Sequence, residues 1–148
     1  MPLRKKVDQV SSLSKAWRTA DAKMRSEMVN IYKKASMKIL EESKKNAPLD
    51  KGNLEKAHRL IVIKSGNGKV SLAIEVGNFE FVRGGKRVNV NQYAIEMHEG
   101  NYKLGPRSSL KNATGPNTVG RKYLSRAYDE KADEVLDEVA DKIFKDFL

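Results

Sequence analysis

The side chains that most often perform catalysis are few in this chain and lie far apart. The two histidines, His58 and His98, are separated by 40 positions, and there is no cysteine. His98 and Glu99 form half of a metal-binding or acid–base motif, but a zinc motif needs a second histidine at i+4 or cysteines. A structural or interface role for His98 is therefore favoured over a metal-dependent nuclease that uses Glu96, His98 and Glu99.

Other candidate catalytic patterns also lack their partners. Ser108 and Ser109 have no base near them in sequence, and a nucleophilic serine needs one. The segment Gly66-Asn67-Gly68-Lys69 lacks the helix start and the Ser or Thr of a phosphate-binding loop, so a hairpin turn is expected there. We therefore predict that the protein is not an enzyme and that it uses no cofactor and no metal.

The composition indicates one modest domain. The chain has 148 residues, of which 39% are hydrophobic and 32% are charged. This length fits a single domain, residues 1–148. The modest share of hydrophobic residues predicts a small core, which suggests an elongated molecule or one that buries further surface against other copies. No apolar run has the ~18–20 residues that cross a membrane, and the basic N-terminus is not a signal peptide. A soluble protein of a reducing cytoplasm is expected.

Charge is spread unevenly along the chain. The formal net charge is +10, yet residues 123–148 hold 8 Asp/Glu against 4 Lys/Arg, a net −4. A basic body can face nucleic acid, or basic and acidic surfaces can meet within a subunit or between neighbours. Charge by itself leaves both interpretations open.

The N-terminal third has helical periodicity. Apolar residues recur every three or four positions from Val7 to Asn46, and forty helical residues would reach ~60 Å, too long for one small sheet. Either a break falls near Thr19-Ala20-Asp21, with Asp21 capping a second helix, or residues 1–20 project as an arm onto a neighbour. The helix must stop at Ala47-Pro48, because the residue before proline is disfavoured in a helix.

The middle of the chain predicts strands. A hairpin is expected over residues 59–77 around Gly66-Asn67-Gly68, and a second one around the basic turn at residues 83–87. Val88 and Val90 are expected to begin a further strand, and the segment Tyr93–His98 fits either a strand or a short helix. Residues 100–120 have little periodicity and predict a long loop.

The C-terminal quarter predicts one amphipathic helix. Its apolar stripe contains Leu124, Tyr128, Val135, Val139, Ile143 and Phe147, and acidic residues fill the other face. The predicted fold class is therefore α+β, with an antiparallel sheet of about four strands and a long N-terminal and a long C-terminal helix packed against it.

Three motifs occur in a definite order. They are the turn with Pro48, Asp50, Gly52 and Leu54, the segment with Tyr93, Ala94, His98 and Glu99, and the helix start with Tyr123, Leu124 and Ala127. Their order and spacing over residues 25–145 resemble the minor structural tail-component, neck or tail-completion proteins of long-tailed bacteriophages. That family usually has Thr where Lys51 stands and Phe where Tyr123 stands.

The resemblance implies a virion protein between the head connector and the tail, made in the host cytoplasm. Members of such families are expected to form rings, commonly six-fold, around the DNA channel. The implied partners are copies of itself, a head connector, adaptor or stopper protein, a tail terminator or tail tube protein, and genome DNA, with no membrane. The alternative function is a small basic protein that binds nucleic acid non-specifically and alone.

Two sets of residues are candidates for these contacts. Basic residues that would face the channel or a partner are Arg83, Lys86, Arg87, Lys103 and Arg107. Residues that would lie between subunits are Trp17, Asp133, Asp137 and Asp141, with the aspartates meeting basic residues of the first helix. No recognised DNA-binding motif is present, so sequence-specific readout is not expected.

Overall fold

The computed structural model describes residues 3–49, 52–64, 70–77 and 80–147. In chain order the elements are α1 (Leu3–Thr19), α2 (Ala22–Asn46), α3 (Asn53–Lys56), β1 (His58–Lys64), β2 (Val70–Val76), β3 (Glu80–Arg83), β4 (Lys86–Asn89), α4 (Val90–Glu99), α5 (Pro106–Thr114) and α6 (Tyr123–Phe147). The fold class is α+β, as predicted, and most of the described residues are helical.

The break between the first two helices lies where the sequence indicates it. α1 ends at Thr19, and the Asp21 carboxylate accepts a hydrogen bond from the Met24 backbone N–H at 2.8 Å. This contact caps the start of α2 by satisfying one of its unpaired donors. α2 then ends at Asn46, two residues before Pro48, as the proline rule requires.

The strands pair as two short ladders. β1 pairs antiparallel with β2 from His58↔Val76 to Lys64↔Val70, and the predicted turn at residues 66–68 lies outside the described residues. β3 pairs with β4 across Gly84 and Gly85, whose φ angles of 58° and 77° suit a tight hairpin turn. In the described part of the chain these ladders are separate, so the predicted single sheet of about four strands is not confirmed.

The second hairpin is short because a helix begins immediately after it. The Asn89 side chain accepts a hydrogen bond from the Asn91 N–H at 2.8 Å and caps α4 at Val90. The prediction that Val90 lies in a strand is therefore wrong. Val90 is instead fully buried as the first residue of α4, and the ambiguous segment Tyr93–His98 is helical.

The long loop predicted for residues 100–120 is also wrong. Residues 106–114 form α5, which follows Gly105, has Pro106 in its first turn and ends before Gly115. Proline is common at the first position of a helix, and glycine is common just after its last residue. That signal was available in the sequence, but the weak apolar periodicity of the segment concealed it.

The apolar stripe of α6 differs from the prediction at one position. Val135, Val139 and Ile143 are buried as expected, but Tyr128 is 59% exposed and Ala127 is fully buried instead. Near the start of α6 the buried face therefore contains Ala127, the smaller residue, and the Tyr128 side chain is mostly exposed.

The chain divides into two compact units, and the division falls within α2 and α6. Unit 1 comprises residues 1–38 and 131–148, and unit 2 comprises residues 39–130. The described strands all belong to unit 2, together with the last turns of α2 and the first turns of α6. The described part of unit 1 is helical. Both ladders therefore belong to a unit that contains only part of α2 and part of α6.

Candidate functional site

The three motif segments meet in one buried cluster of unit 2. Its members are Ala47, Leu54, Ala57, Val90, Ala94 and Tyr123, with Tyr93, Met97 and Leu124 packed against it. Pro48 is also buried, and Gly52, with φ of 78°, turns the chain into α3. Asp50 lies outside the described residues. The turn, the Tyr93-Ala94 segment and the start of α6 therefore form one structural centre.

Tyr123 occupies the middle of this cluster and is 1% exposed. Its hydroxyl donates to the Ala94 carbonyl at 3.0 Å, and its own carbonyl accepts the Asn46 side-chain N–H at 3.1 Å. Burial raises the pKa of the Tyr123 hydroxyl well above its usual range, because the anion would be poorly solvated. The side chain is therefore a neutral structural donor.

Asn46 ties the end of α2 to the segment that precedes α6. Its side-chain oxygen accepts from the Asn117 amide at 2.9 Å, and its backbone carbonyl accepts the Gly120 N–H at 2.9 Å. Sequence reasoning missed this residue. Its signal was a polar side chain in the last turn of α2, immediately before Ala47-Pro48, where it is only 2% exposed.

His58 is a buried structural histidine. Its Nδ1 lies 2.8 Å from the Leu54 carbonyl, and its Nε2 lies 2.8 Å from the Ser43 hydroxyl. The carbonyl can only accept, so Nδ1 donates to it, and in the neutral ring Nε2 then accepts from the serine hydroxyl. Burial lowers the pKa of His58, and the hydrogen bond to Leu54 opposes that shift.

His98, Glu99 and Ser125 form a hydrogen-bonded series. The His98 Nδ1 lies 2.8 Å from a Glu99 oxygen, and its Nε2 lies 3.2 Å from the Ser125 hydroxyl. This order of groups resembles that of a serine hydrolase triad. The Ser125 backbone N–H also points at Nε2, at 3.4 Å, and Ser125 is in the first turn of α6.

We therefore interpret His98 as a cap for the start of α6, whose first N–H groups need acceptors. The His98 carbonyl accepts the Lys122 N–H at 2.8 Å, and the Lys122 ammonium pairs with Glu99. Lys122 and then His98 hold the pKa of Glu99 below its usual value. Among the described residues, no group of three or more His, Asp or Glu side chains is placed to hold a metal ion.

α5 is fastened to the end of α2 by two polar side chains. The Lys111 ammonium donates to the carbonyls of Lys44 at 2.6 Å and Ala47 at 2.7 Å, and it pairs with Glu55. The Ser108 hydroxyl donates to the Leu49 carbonyl at 2.9 Å and accepts the Leu49 N–H at 2.8 Å. Ser108 is thus a positioning residue for the chain after Pro48.

The predicted basic contact residues lie in two stretches of unit 2, one around the β3–β4 turn and one around the start of α5. Lys86 and Arg87 are exposed beside the β3–β4 turn, where Arg87 is 3.9 Å from Glu80, and the Arg83 side chain lies outside the described residues. Lys103 and Arg107 are exposed before and at the start of α5.

The predicted inter-subunit residues lie in unit 1, where two of the three aspartates have partners in the same chain. The Asp133 carboxylate pairs with Lys6, and Asp137 accepts the Gln9 amide at 2.9 Å. The expected contact of α6 aspartates with basic residues of the first helix is therefore present at Asp133, within the subunit, whereas the partner of Asp137 is a neutral amide. Asp141 is exposed on α6, and the Arg25 guanidinium lies 5.1 Å from the centre of the Trp17 ring.

Comparisons with protein-family models, with curated proteins and with solved structures find no match to this chain. Among the described helices, none has the length and apolar character that crossing a membrane requires.

Proposed function

We propose that this chain is a structural protein of the phage neck. Copies of it form a ring around the DNA channel, and the ring completes the tail or joins it to the head connector. The proposal rests on the resemblance of the motif segments to tail-completion proteins. One observation supports it: these segments, far apart in sequence, pack into one cluster around Tyr123.

The surface of unit 2 suits a subunit that completes its burial against neighbours. Val82, Ile95, Leu110 and Tyr128 are each 59–64% exposed. Single exposed apolar residues are ordinary in a monomer. These four lie on different elements, β3, α4, α5 and α6, and each would gain burial in a contact with another copy.

The alternative function is a basic protein that binds nucleic acid alone and without sequence preference. The observation in its favour is the exposed pair Lys86 and Arg87 at a hairpin tip, in a chain with a net charge of +10. Such cations can neutralise phosphates, and binding of this kind weakens steeply with salt.

The mass of the purified protein in solution, with negative-stain images of the same sample, separates the two functions. The neck protein is expected to give a closed ring of several copies, six according to the resemblance. The same sample is then titrated with duplex DNA at several salt concentrations, beside the variant Lys86→Ser/Arg87→Ser.

A ring whose mass is unchanged in the variant supports the neck function. A monomer that binds DNA contradicts the neck function and favours the alternative. In that case the slope of log affinity against log salt concentration should be smaller by about 2 in the variant.

A further inference from the structure

Unit 2 contains an open groove of about 470 Å³, lined by residues from α4, from the start of α5 and from the segment that connects them. Two of the lining side chains are the tyrosines Tyr93 and Tyr102, and both are half-buried. Leu49, Met97 and Leu104 add apolar surface to the same lining. The groove therefore offers aromatic and apolar contact area, which suits a ligand that carries a planar ring.

The Tyr102 side chain is held at its polar end. Its hydroxyl donates to the Met97 carbonyl at 2.6 Å, so a ligand does not have to supply a partner for it. Burial, and after it the nearby Tyr93, raise the pKa of Tyr102, so its hydroxyl stays neutral and places no negative charge in the groove. A ring that is already fixed loses little conformational freedom when a planar group stacks on it.

The charged side chains among the described lining residues are both basic. Lys103 and Arg107 lie at the groove and are exposed. Arg121 adds a cation beside the same segment, because its guanidinium donates to the Asn101 side chain at 3.2 Å and Asn101 directly precedes Tyr102. Residues 100–128, which include all three cations, contain no Asp or Glu. A ligand that suits this surface therefore combines planar rings with negative charge.

We propose that this groove binds single-stranded nucleic acid. Bases stack on the rings of Tyr93 and Tyr102, and the phosphates that flank them contact Lys103 and Arg107. Proteins that bind single strands without sequence preference combine aromatic side chains for the bases with cations for the backbone. Each nucleotide brings one ring and one negative charge, which matches a groove that has two rings and two cations.

A single strand suits this groove better than a duplex does. The bases of a duplex stack on one another, so a duplex would contact Lys103 and Arg107 through its phosphates alone. An acidic protein segment would pair with the same cations, but nucleic acid repeats a ring and a charge in every unit. The inference goes beyond the proposed neck function and does not depend on the ring.

A titration followed by fluorescence anisotropy tests the binding. The probe is a labelled oligothymidine of about 15 nucleotides, near the upper length that one such binding site covers. A duplex of the same length is measured beside it. At low salt the natural chain is expected to bind the single strand about tenfold more tightly than the duplex, because stacking adds to the phosphate contacts.

Two substitutions of Tyr102 separate the ring from its hydroxyl group. Tyr102→Leu removes the ring and should bind oligothymidine about tenfold more weakly than the natural chain, or worse, because base–aromatic stacking is lost. Tyr102→Phe loses the hydrogen bond to Met97 but keeps the ring, so it should bind within about twofold of the natural chain. Urea unfolding of both variants shows whether each of them is folded.

Two double substitutions test the phosphate contacts. Lys103→Gln/Arg107→Gln, the groove variant, should lower the slope of log affinity against log salt concentration by about 1.4, since each phosphate contact of a single strand contributes about 0.7. The matched control is Lys33→Gln/Lys34→Gln, which removes two exposed lysines of α2 in unit 1 and should leave the slope unchanged.

Photocrosslinking locates the bound strand on the natural chain. An oligothymidine that carries iodouracil bases couples to an aromatic ring on which such a base stacks. The cross-linked peptide is expected to contain Tyr93 or Tyr102. Cross-links at Tyr32 or Tyr128 alone, which are exposed on other helices, would place the strand elsewhere and overturn the inference.

A natural chain that does not bind oligothymidine at low salt overturns the inference and leaves the groove to an acidic protein segment. Binding that Tyr102→Leu leaves unchanged, with equal affinity for the duplex, would reduce the groove to a contact for phosphates and also overturn it. None of these measurements depends on the mass of the assembly, so the neck function is tested separately.

Discussion

Tyr123 joins several parts of unit 2. Its hydroxyl reaches α4, its backbone carbonyl accepts a hydrogen bond from the end of α2, and its ring lies 5.8 Å from the His58 ring and 5.0 Å from the His98 ring. The resemblance expects phenylalanine at this position. The Tyr123 hydroxyl has its own acceptor in this chain, the Ala94 carbonyl.

Substitutions at Tyr123 should separate the contribution of its hydroxyl group to stability from the contribution of its ring. Tyr123→Phe loses one hydrogen bond and is expected to cost about 1 kcal/mol of unfolding free energy. Tyr123→Ala also leaves a cavity and should cost about 3–5 kcal/mol. Urea unfolding of the two variants measures both values, and equal losses would show that the hydroxyl, not the ring, dominates.

His58 should make the stability of the protein depend on pH. Its pKa is lowered in the folded state by burial, so between the folded and unfolded pKa values the unfolded chain binds more protons. Stability is therefore fully present above the unfolded pKa of about 6.5 and is lost as pH falls toward the folded pKa.

The test compares the unfolding free energy of the natural chain with that of His58→Gln. Both are measured from about pH 7.5 down to about pH 5. The variant should be less stable at the upper pH, and its stability should decline less on acidification. Parallel curves for the two proteins would rule out His58 as the titrating group.

At the scale of elements, the decisive contact is the one between α5 and the end of α2. The last carbonyls of any helix lack partners within the helix. In α2 the Lys111 ammonium supplies donors to two carbonyls at this end, those of Lys44 and Ala47. A lysine from a segment with little periodicity thus satisfies the last carbonyls at the end of α2 and holds α5 beside them.

Lys111→Met keeps most of the side-chain volume and removes the donors. We expect it to cost about 2 kcal/mol, since hydrogen bonds to charged groups contribute about 1.5–3 kcal/mol. The control is Lys142→Met on the exposed face of α6, which should stay within about 0.5 kcal/mol. Denaturant unfolding compares the two, and similar values would show that Lys111 does not hold α5.

At the scale of the whole molecule, acidic and basic side chains pair within each of the two units. In unit 1 acids of α6 are matched inside the chain, as Lys38 pairs with Glu134 at 2.9 Å and with Glu138 at 2.7 Å. In unit 2 Arg59 pairs with Glu75 at 2.6 Å, and Lys111 pairs with Glu55. Reversal of Asp133 is therefore expected to lower the stability of the subunit itself, because its partner Lys6 lies in the same chain.

The sequence by itself determined the features that depend on neighbouring residues. The cap at Asp21, the stop before Pro48 and the β1–β2 pairing follow from local backbone chemistry, and all three are present. The limits of the final helix follow from its long periodicity. Where local signals were mixed, as at Val90 and in α5, the prediction was wrong, although the Asn89 cap of α4 and the proline and glycine that bound α5 are themselves local.

Only the tertiary structure decided which residues meet. Asn46, Lys111 and Ser108 are ordinary polar residues in sequence, and their roles arise from carbonyls and N–H groups that other segments leave unpaired. Tyr128 fits the helical period of the α6 stripe, yet it is exposed because Ala127 fills the buried face. Periodicity predicts a face of a helix, but the neighbours of that face determine which of its residues are buried.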